Sequence, residues 1–243
     1  MLTRVYSLID RRHRPLRNHV YLVFPDFNIA YARVNETAFK LLEPVLLKLA
    51  GIHDISPCPG HFDREELVSE TKLFHGNVEL LTARELKRRY PDIKTVAWVQ
   101  NPLHRLAYCY EKIIKGAGGL PYYYGERRFS PDMTPEDFVS QVAAISDLEA
   151  DNLFRSQWTA LTHKGQFIPD LVLQVEQYDC ALSDFLTATQ LDCPPDMPER
   201  FSPSDFVSSE TLNAFSSDPV SARIAKRYRN DYQAFYEGRL AAQ

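Results

Sequence analysis

Apolar residues first alternate and then cluster along this chain, and the change of period marks its elements. His19 to Phe24 and Ile29 to Val34 are rich in β-branched and aromatic residues, which predicts two strands. Pro25-Asp26-Phe27-Asn28 between them is turn chemistry. From Thr37 to Ala50 the period becomes helical: Phe39, Leu42, Val45, Leu46 and Leu49 share a face, and Gly51 offers a stop. Pro44 inside that run predicts a kink or an early break. Val78 to Leu81 reads as a short strand, Ala83 to Tyr90 as a helix stopped by Pro91, and Val96 to Val99 as a buried strand. Leu103, Leu106, Ala107, Tyr110 and Ile113 return to helical spacing behind Pro102, a residue suited to a first helical turn.

The second half continues in this manner. Helices are expected over 138–145, 151–161, 179–190, 208–215 and 220–236, with a strand over 171–175. Strands alternating with helices predict an α/β fold, a sheet covered on both faces. Ligands of such sheets bind at the carboxyl ends of the strands, so the chain near Val34, Gln100 and Glu176 should converge. Residues 116–135 form a long stretch with Gly118-Gly119, Pro121 and three consecutive tyrosines, Tyr122 to Tyr124. A lid or acceptor loop is one reading of it; aromatic packing over the core is the other.

Composition narrows the classes. With 243 residues the chain is ample for one full domain, and residues 1–243 are read as one, with 1–18 as a flexible start. Its net charge of −4 gives no general attraction to nucleic acid. The basic run Arg4 to Arg17 reads as a solvated face or loose start, with phosphate or glycan binding as the alternative. Cys58, Cys109, Cys180 and Cys193 make no C-x-x-C pair and read as reduced thiols. His53, Cys58, His61 and His75 match no standard zinc spacing, so no metal is expected. No apolar run approaches a membrane span, and no apolar core follows the N-terminal charges, so a soluble, cytoplasmic protein is expected.

Candidate chemistry sits where strands turn into helices. At Gln100-Asn101-Pro102 a strand runs directly into a helix, which gathers backbone N–H groups at one point beside Arg105. The turn at Arg33-Val34-Asn35-Glu36-Thr37 has the same form, that of a phosphate-binding loop without the glycine signature. The first segment resembles the Arg-Asp-Pro-x-x-Arg-x-x-Ser-x-Tyr element of the carbohydrate (type 2) sulfotransferases, with Pro102, Arg105 and Tyr110 agreeing and Gln100 and Tyr108 in place of Arg and Ser. The second is similar to that family's Lys-x-x-x-Thr element, with Arg33 for Lys and Thr37 for Thr. Phe74-His75-Gly76-Asn77-Val78 resembles a segment of heparan and uronyl 2-O-sulfotransferases whose second His is the base, and Asn77 stands in that place. Asp151 to Gln157, Val172 to Tyr178 and Tyr228 to Tyr236 resemble further family segments in the expected order.

The resemblance implies a three-layer sandwich with a central, mainly parallel sheet, the P-loop nucleoside triphosphate hydrolase-like sulfotransferase fold. It implies transfer of a sulfuryl group from 3′-phosphoadenosine 5′-phosphosulfate to a hydroxyl of a carbohydrate or related acceptor, without metal. It also implies a bacterial relative of membrane-anchored animal enzymes. By the same resemblance Arg33, Asn35, Glu36, Thr37, Ala38, Gln100, Arg105 and Tyr108 would hold the donor. His75 would be the base and Arg33 would stabilise the leaving oxygen, while Asn77, Arg155 and Gln157 would face the acceptor. The neutral residues at 100 and 108 leave a second reading, a sulfotransferase fold that has lost catalysis and serves as a binding or interaction module. A P-loop kinase is a third, against which stands the missing G-x-x-x-x-G-K-[ST] signature.

Overall fold

A computed structural model describes residues 18–52, 73–74, 76–116, 119–120, 124–125, 127–195 and 197–237. Five strands make the main sheet: β1 His19–Phe24, β2 Ile29–Ala32, β3 Glu79–Thr82, β4 Lys94–Val99 and β7 Leu171–Gln174, in the order β3-β1-β2-β4-β7. β2, β4 and β7 are parallel neighbours, and β3 shares their direction because both β2 and β3 are antiparallel to β1. The exception has a local cause. β1 and β2 are joined only by the 3-10 turn Pro25–Phe27 and by Asn28, which takes a left-handed φ of 51°. A connection that short closes a hairpin, whereas a parallel pair needs a crossover of a dozen residues or more.

Both faces of the sheet are dry. Leu22, Phe24, Tyr31, Val96 and Trp98 point to one side, against α1 Glu36–Leu41, α2 Glu43–Leu49 and, farther along the chain, the helix Tyr178–Thr189. Tyr21, Val23, Ala30, Ala97 and Val99 point to the other, toward Leu86 of α3 Ala83–Arg89, and Leu161 and Phe235. The period-2 alternation is therefore apolar on both sides, as expected of a covered parallel sheet. A second apolar cluster lies off the sheet. It is built from α4 Pro102–Ile113 and α5 Pro135–Ala144, together with Phe154, Phe215 and Ile224.

The remaining elements are α6 Gln157–Leu161, the small hairpin β5 Thr162–His163 and β6 Gln166–Phe167, α7 Tyr178–Thr189, α8 Ser209–Phe215, α9 Asp218–Arg227 and α10 Arg229–Phe235. Three expectations change. The run 37–50 is two helices that meet at Leu42, two residues before Pro44, and Gly51 closes the second with a φ of 76°. The run 151–161 is helical only from Gln157. Before that point the carbonyls of Asn152 and Arg155 turn to the Arg105 guanidinium, and Asp151 Oδ1 accepts from the Leu153 N–H. The run 220–236 breaks at Tyr228, whose buried hydroxyl donates to the Phe154 carbonyl. The β5–β6 hairpin escapes the sequence pattern because two-residue strands carry no period; only Lys164-Gly165, both at positive φ, marks it. Among the described residues, no helix is long and apolar enough to cross a membrane.

Candidate active site

Parallel pairing brings three strand ends together. Ala32 is level with Ala97 across β2 and β4, and Val99 is level with Gln174 across β4 and β7. Two side chains tie the ends further. The Glu176 carboxylate accepts from the Asn101 N–H at 2.7 Å, and Arg105 donates to the Val34 carbonyl at 3.1 Å. The convergence expected at Val34, Gln100 and Glu176 is present.

Beyond the end of β2, Asn35 caps α1 by accepting from the Ala38 N–H at 3.2 Å. Glu36 follows. Its carboxylate lies 2.9 Å from Lys112 Nζ and 3.8 Å from Arg33. Burial alone would lower the pKa of the Lys112 ammonium; the adjoining Glu36 carboxylate outweighs this and holds it above the ordinary lysine value. Arg33 also lies over the Phe39 ring at 4.3 Å, and Lys40 over the Tyr108 ring at 5.8 Å. Glu36 and Lys40 are one turn apart on α1, and Tyr108 and Lys112 one turn apart on α4, so two short polar stripes face each other.

Several polar atoms at this edge are buried without a hydrogen-bond partner: Asn35 Nδ2, Thr37 Oγ1 and Gln100 Oε1. Their residues are 2%, 1% and 2% exposed. Buried polar groups are nearly always paired, and leaving one unpaired costs about 1–3 kcal/mol. All three follow the ends of β2 and β4, on the edge that also carries Arg33 and the Glu36–Lys112 pair.

Other predicted site residues have different work. The Arg105 guanidinium is buried and donates to three backbone carbonyls, those of Arg155 at 2.6 Å, Asn152 at 2.6 Å and Val34 at 3.1 Å. It fastens the end of β2 to the 151–156 turn, in place of the expected contact with a donor phosphate. Gln157 is wholly buried and clasps the backbone of Gln100, accepting from its N–H at 3.0 Å and donating to its carbonyl at 2.8 Å. It braces the end of β4. Arg155 stays at the edge, with its guanidinium on Asn18 at 3.3 Å.

Asn77 stands at the opposite end of the sheet. It precedes β3, whose first residue Glu79 is level with Val23 near the finish of β1, and it donates to Asp26 in the β1–β2 turn. Gly76 is pressed against the end of α2; a Cβ there would meet the Ala50 carbonyl oxygen at 2.3 Å. Asn77 thus belongs to the amino edge, away from the strand ends where the other candidate residues gather. His75, like His53, Cys58 and His61, lies outside the described residues. So do Tyr122 and Tyr123, whereas Tyr124 is buried against Phe129 and Phe154, which favours the packing reading for that ring.

A second polar group escaped the sequence reading. The Glu176 carboxylate accepts from the Tyr236 hydroxyl at 3.0 Å and lies 3.7 Å from His104, and Tyr232 donates to Asn101 Oδ1 at 3.2 Å. Burial first, and then the nearby Glu176 carboxylate, push the Tyr236 phenol far up, so it stays protonated and donates. The only early sign of this cluster is the placement of Glu176 just past a strand end. A groove along the outer side of β7, bounded by Cys180, Asp184 and Phe235, does not include the cationic edge.

A sequence profile of the sulfotransferase family matches residues 19–237. The chain belongs to the sulfotransferase family. The match begins at β1 and ends just past α10, so the sheet, both strand-to-helix turns and the terminal helices are all family structure. No curated protein matches the chain, and no solved structure does. For a sulfotransferase the reaction moves a sulfuryl group to an acceptor, and the donor is an anionic compound. The cations and the unpartnered polar atoms at the carboxyl edge suit such a compound. Among the described residues no group of His, Cys, Asp and Glu is placed to hold a metal ion.

Proposed function

We propose that this sulfotransferase uses 3′-phosphoadenosine 5′-phosphosulfate as donor and a hydroxyl of a carbohydrate or related molecule as acceptor. The observation that carries the reading is the carboxyl edge itself. Arg33 and Lys112 flank Glu36, Lys40 lies over Tyr108 one turn before Lys112, and Thr37 Oγ1, Asn35 Nδ2 and Gln100 Oε1, just past the ends of β2 and β4, are buried without partners. Thr37, Asn35 and the backbone through Ala38 would hold the 5′-phosphosulfate, with Arg33 and Glu36 at its side. Gln100 and Tyr108 would offer neutral contacts to the 3′-phosphate, and Arg105 would position the strand ends without touching it.

In the reaction the acceptor oxygen forms a bond to sulfur as the bond from sulfur to the bridging oxygen breaks. The electron pair of the broken bond stays on the phosphate, giving 3′-phosphoadenosine 5′-phosphate, and the acceptor proton leaves to a base or to solvent. Positioning and charge stabilisation account for most of such a transfer. Arg33 would offset the charge that develops on the bridging oxygen. His75→Ala in a turnover assay tests the base suggested by the sequence: a loss of about a hundredfold or more is the size expected of a removed general base.

A second reading has its own support. Glu36 already occupies the cations, and Arg105 is occupied by carbonyls, a pattern suited to a sulfotransferase fold kept as a binding module. Calorimetric titration with 3′-phosphoadenosine 5′-phosphate and a sulfate-transfer assay separate the two. Binding with transfer supports the enzyme, binding without transfer supports the module, and no binding at millimolar concentration removes the donor site.

A further inference from the structure

The chain carries a net charge of −4, yet two cations meet one carboxylate at this edge and a third lies close by. Arg33 and Lys112 contact Glu36 directly, while Lys40 lies over Tyr108 one turn before Lys112. The set Arg33, Lys40, Lys112 and Glu36 sums to +2, arithmetic that leaves the edge cationic after its own ion pair is counted. Lys112 is the cation on α4 whose ammonium reaches Glu36; Arg105, about two turns earlier on the same helix and nearer the strand, is turned inward to the carbonyls of Val34, Asn152 and Arg155. Next to Glu36 in the chain, Thr37 is 1% exposed and its hydroxyl has no protein partner, so it is free to accept or donate to a bound group.

Taking the donor reading as its basis, we infer that Lys112 is a ligand of the donor's anionic groups and that Glu36 holds it in place until the donor arrives. Glu36 then acts as an internal counter-ion. Its carboxylate keeps Lys112 and Arg33 from repelling one another. The entering phosphate or phosphosulfate takes over both contacts, and Glu36 turns toward solvent. This assigns a charged donor contact on α4 where Gln100 and Tyr108 offer neutral ones, and charge-assisted hydrogen bonds are roughly twice as strong as neutral ones.

The test is calorimetric titration of the full chain with 3′-phosphoadenosine 5′-phosphate, comparing the natural protein with Lys112→Met, Lys112→Arg and Glu36→Gln. The melting temperature of each is recorded alongside. Lys112→Met should weaken binding about tenfold or more, the size of one charge-assisted contact. Lys112→Arg, which keeps the charge should the shorter variant fold poorly, should stay within a few-fold of the natural protein. Glu36→Gln should bind at least as tightly as the natural protein, because the competing carboxylate is gone. If Lys112→Met binds like the natural protein, or if Glu36→Gln is weakened as much as Lys112→Met, the pair is a structural clasp and the inference is overturned. If the natural protein and all folded variants fail to bind, the donor reading itself falls, a result distinct from either of these.

Discussion

Two clusters of buried polar groups lie side by side at the carboxyl edge, and they differ in how completely they are paired. In the first, Arg105 donates to three carbonyls, Gln157 clasps the Gln100 backbone, and Asp231 accepts from Ser156 Oγ at 2.6 Å, the Trp158 N–H at 2.9 Å and the Gln157 N–H at 2.9 Å. In the second, Asn35 Nδ2, Thr37 Oγ1 and Gln100 Oε1 have no partner, and a single carboxylate stands among the cations. The first cluster holds the strand ends in register. The second is what they hold in place. Removing a polar group should therefore unfold the protein in one cluster and disarm it in the other.

The largest effect is expected at Asp231. Its carboxyl is wholly buried, and desolvation raises its pKa although three donors act the other way. Asp231→Ala leaves those donors unpaired at the start of α6 and should lower stability by about 3 kcal/mol or more, measured by urea unfolding. Next comes Arg105→Met, which strips three carbonyls and should destabilise by about 2–3 kcal/mol. Were Arg105 instead a donor ligand, the loss would appear as weaker donor binding with stability intact, and the comparison would break.

Thr37→Val sharpens the contrast from the other side. The hydroxyl has no partner within the protein, so an isosteric apolar group should leave the melting temperature equal or slightly higher. Donor-product binding should nonetheless fall by about tenfold. A clear drop in melting temperature would place Thr37 in the framework cluster.

A pH effect follows at the framework's margin. Burial would raise the Asp147 carboxyl, but the Arg227 guanidinium, the Ser156 N–H and the Thr159 hydroxyl together hold it below the usual aspartate value. A carboxyl lowered in the folded state adds stability above its unfolded value of about 3.9, and that stability is lost as pH falls through the lowered value. Asp147→Asn should accordingly be less stable than the natural protein at pH 7, with the gap narrowing below about pH 4 in urea unfolding at each pH. The smallest effect is expected at Asn77, an exposed residue at the far edge. Asn77→Ala should cost under about 1 kcal/mol and leave the acceptor KM unchanged.

The sequence pattern carried the sheet well because its strands are long enough to show a period: β1 is read residue for residue as His19–Phe24. It carried both strand-to-helix turns for the same reason, and the family with them. What it missed was set by contacts distant in sequence. The helix expected at 151–156 is displaced by a guanidinium more than 45 positions away, at Arg105. The break at Tyr228 depends on the Phe154 carbonyl. The roles of Arg105, Gln157 and Asn77 were inherited from matching letters, and a letter does not say which way a side chain turns. Lys112 shows the reverse: a residue with no motif to announce it becomes visible only when α1 and α4 are set side by side.

The central claim is that the unpaired cluster at the carboxyl edge is a donor site. Titration of the natural protein with 3′-phosphoadenosine 5′-phosphate, followed by the same titration of Thr37→Val, tests it most directly. Saturable binding by the natural protein, weakened about tenfold in a Thr37→Val protein that melts no earlier, is the predicted result. No binding by the folded natural protein at millimolar concentration, or equal binding by both, would contradict it.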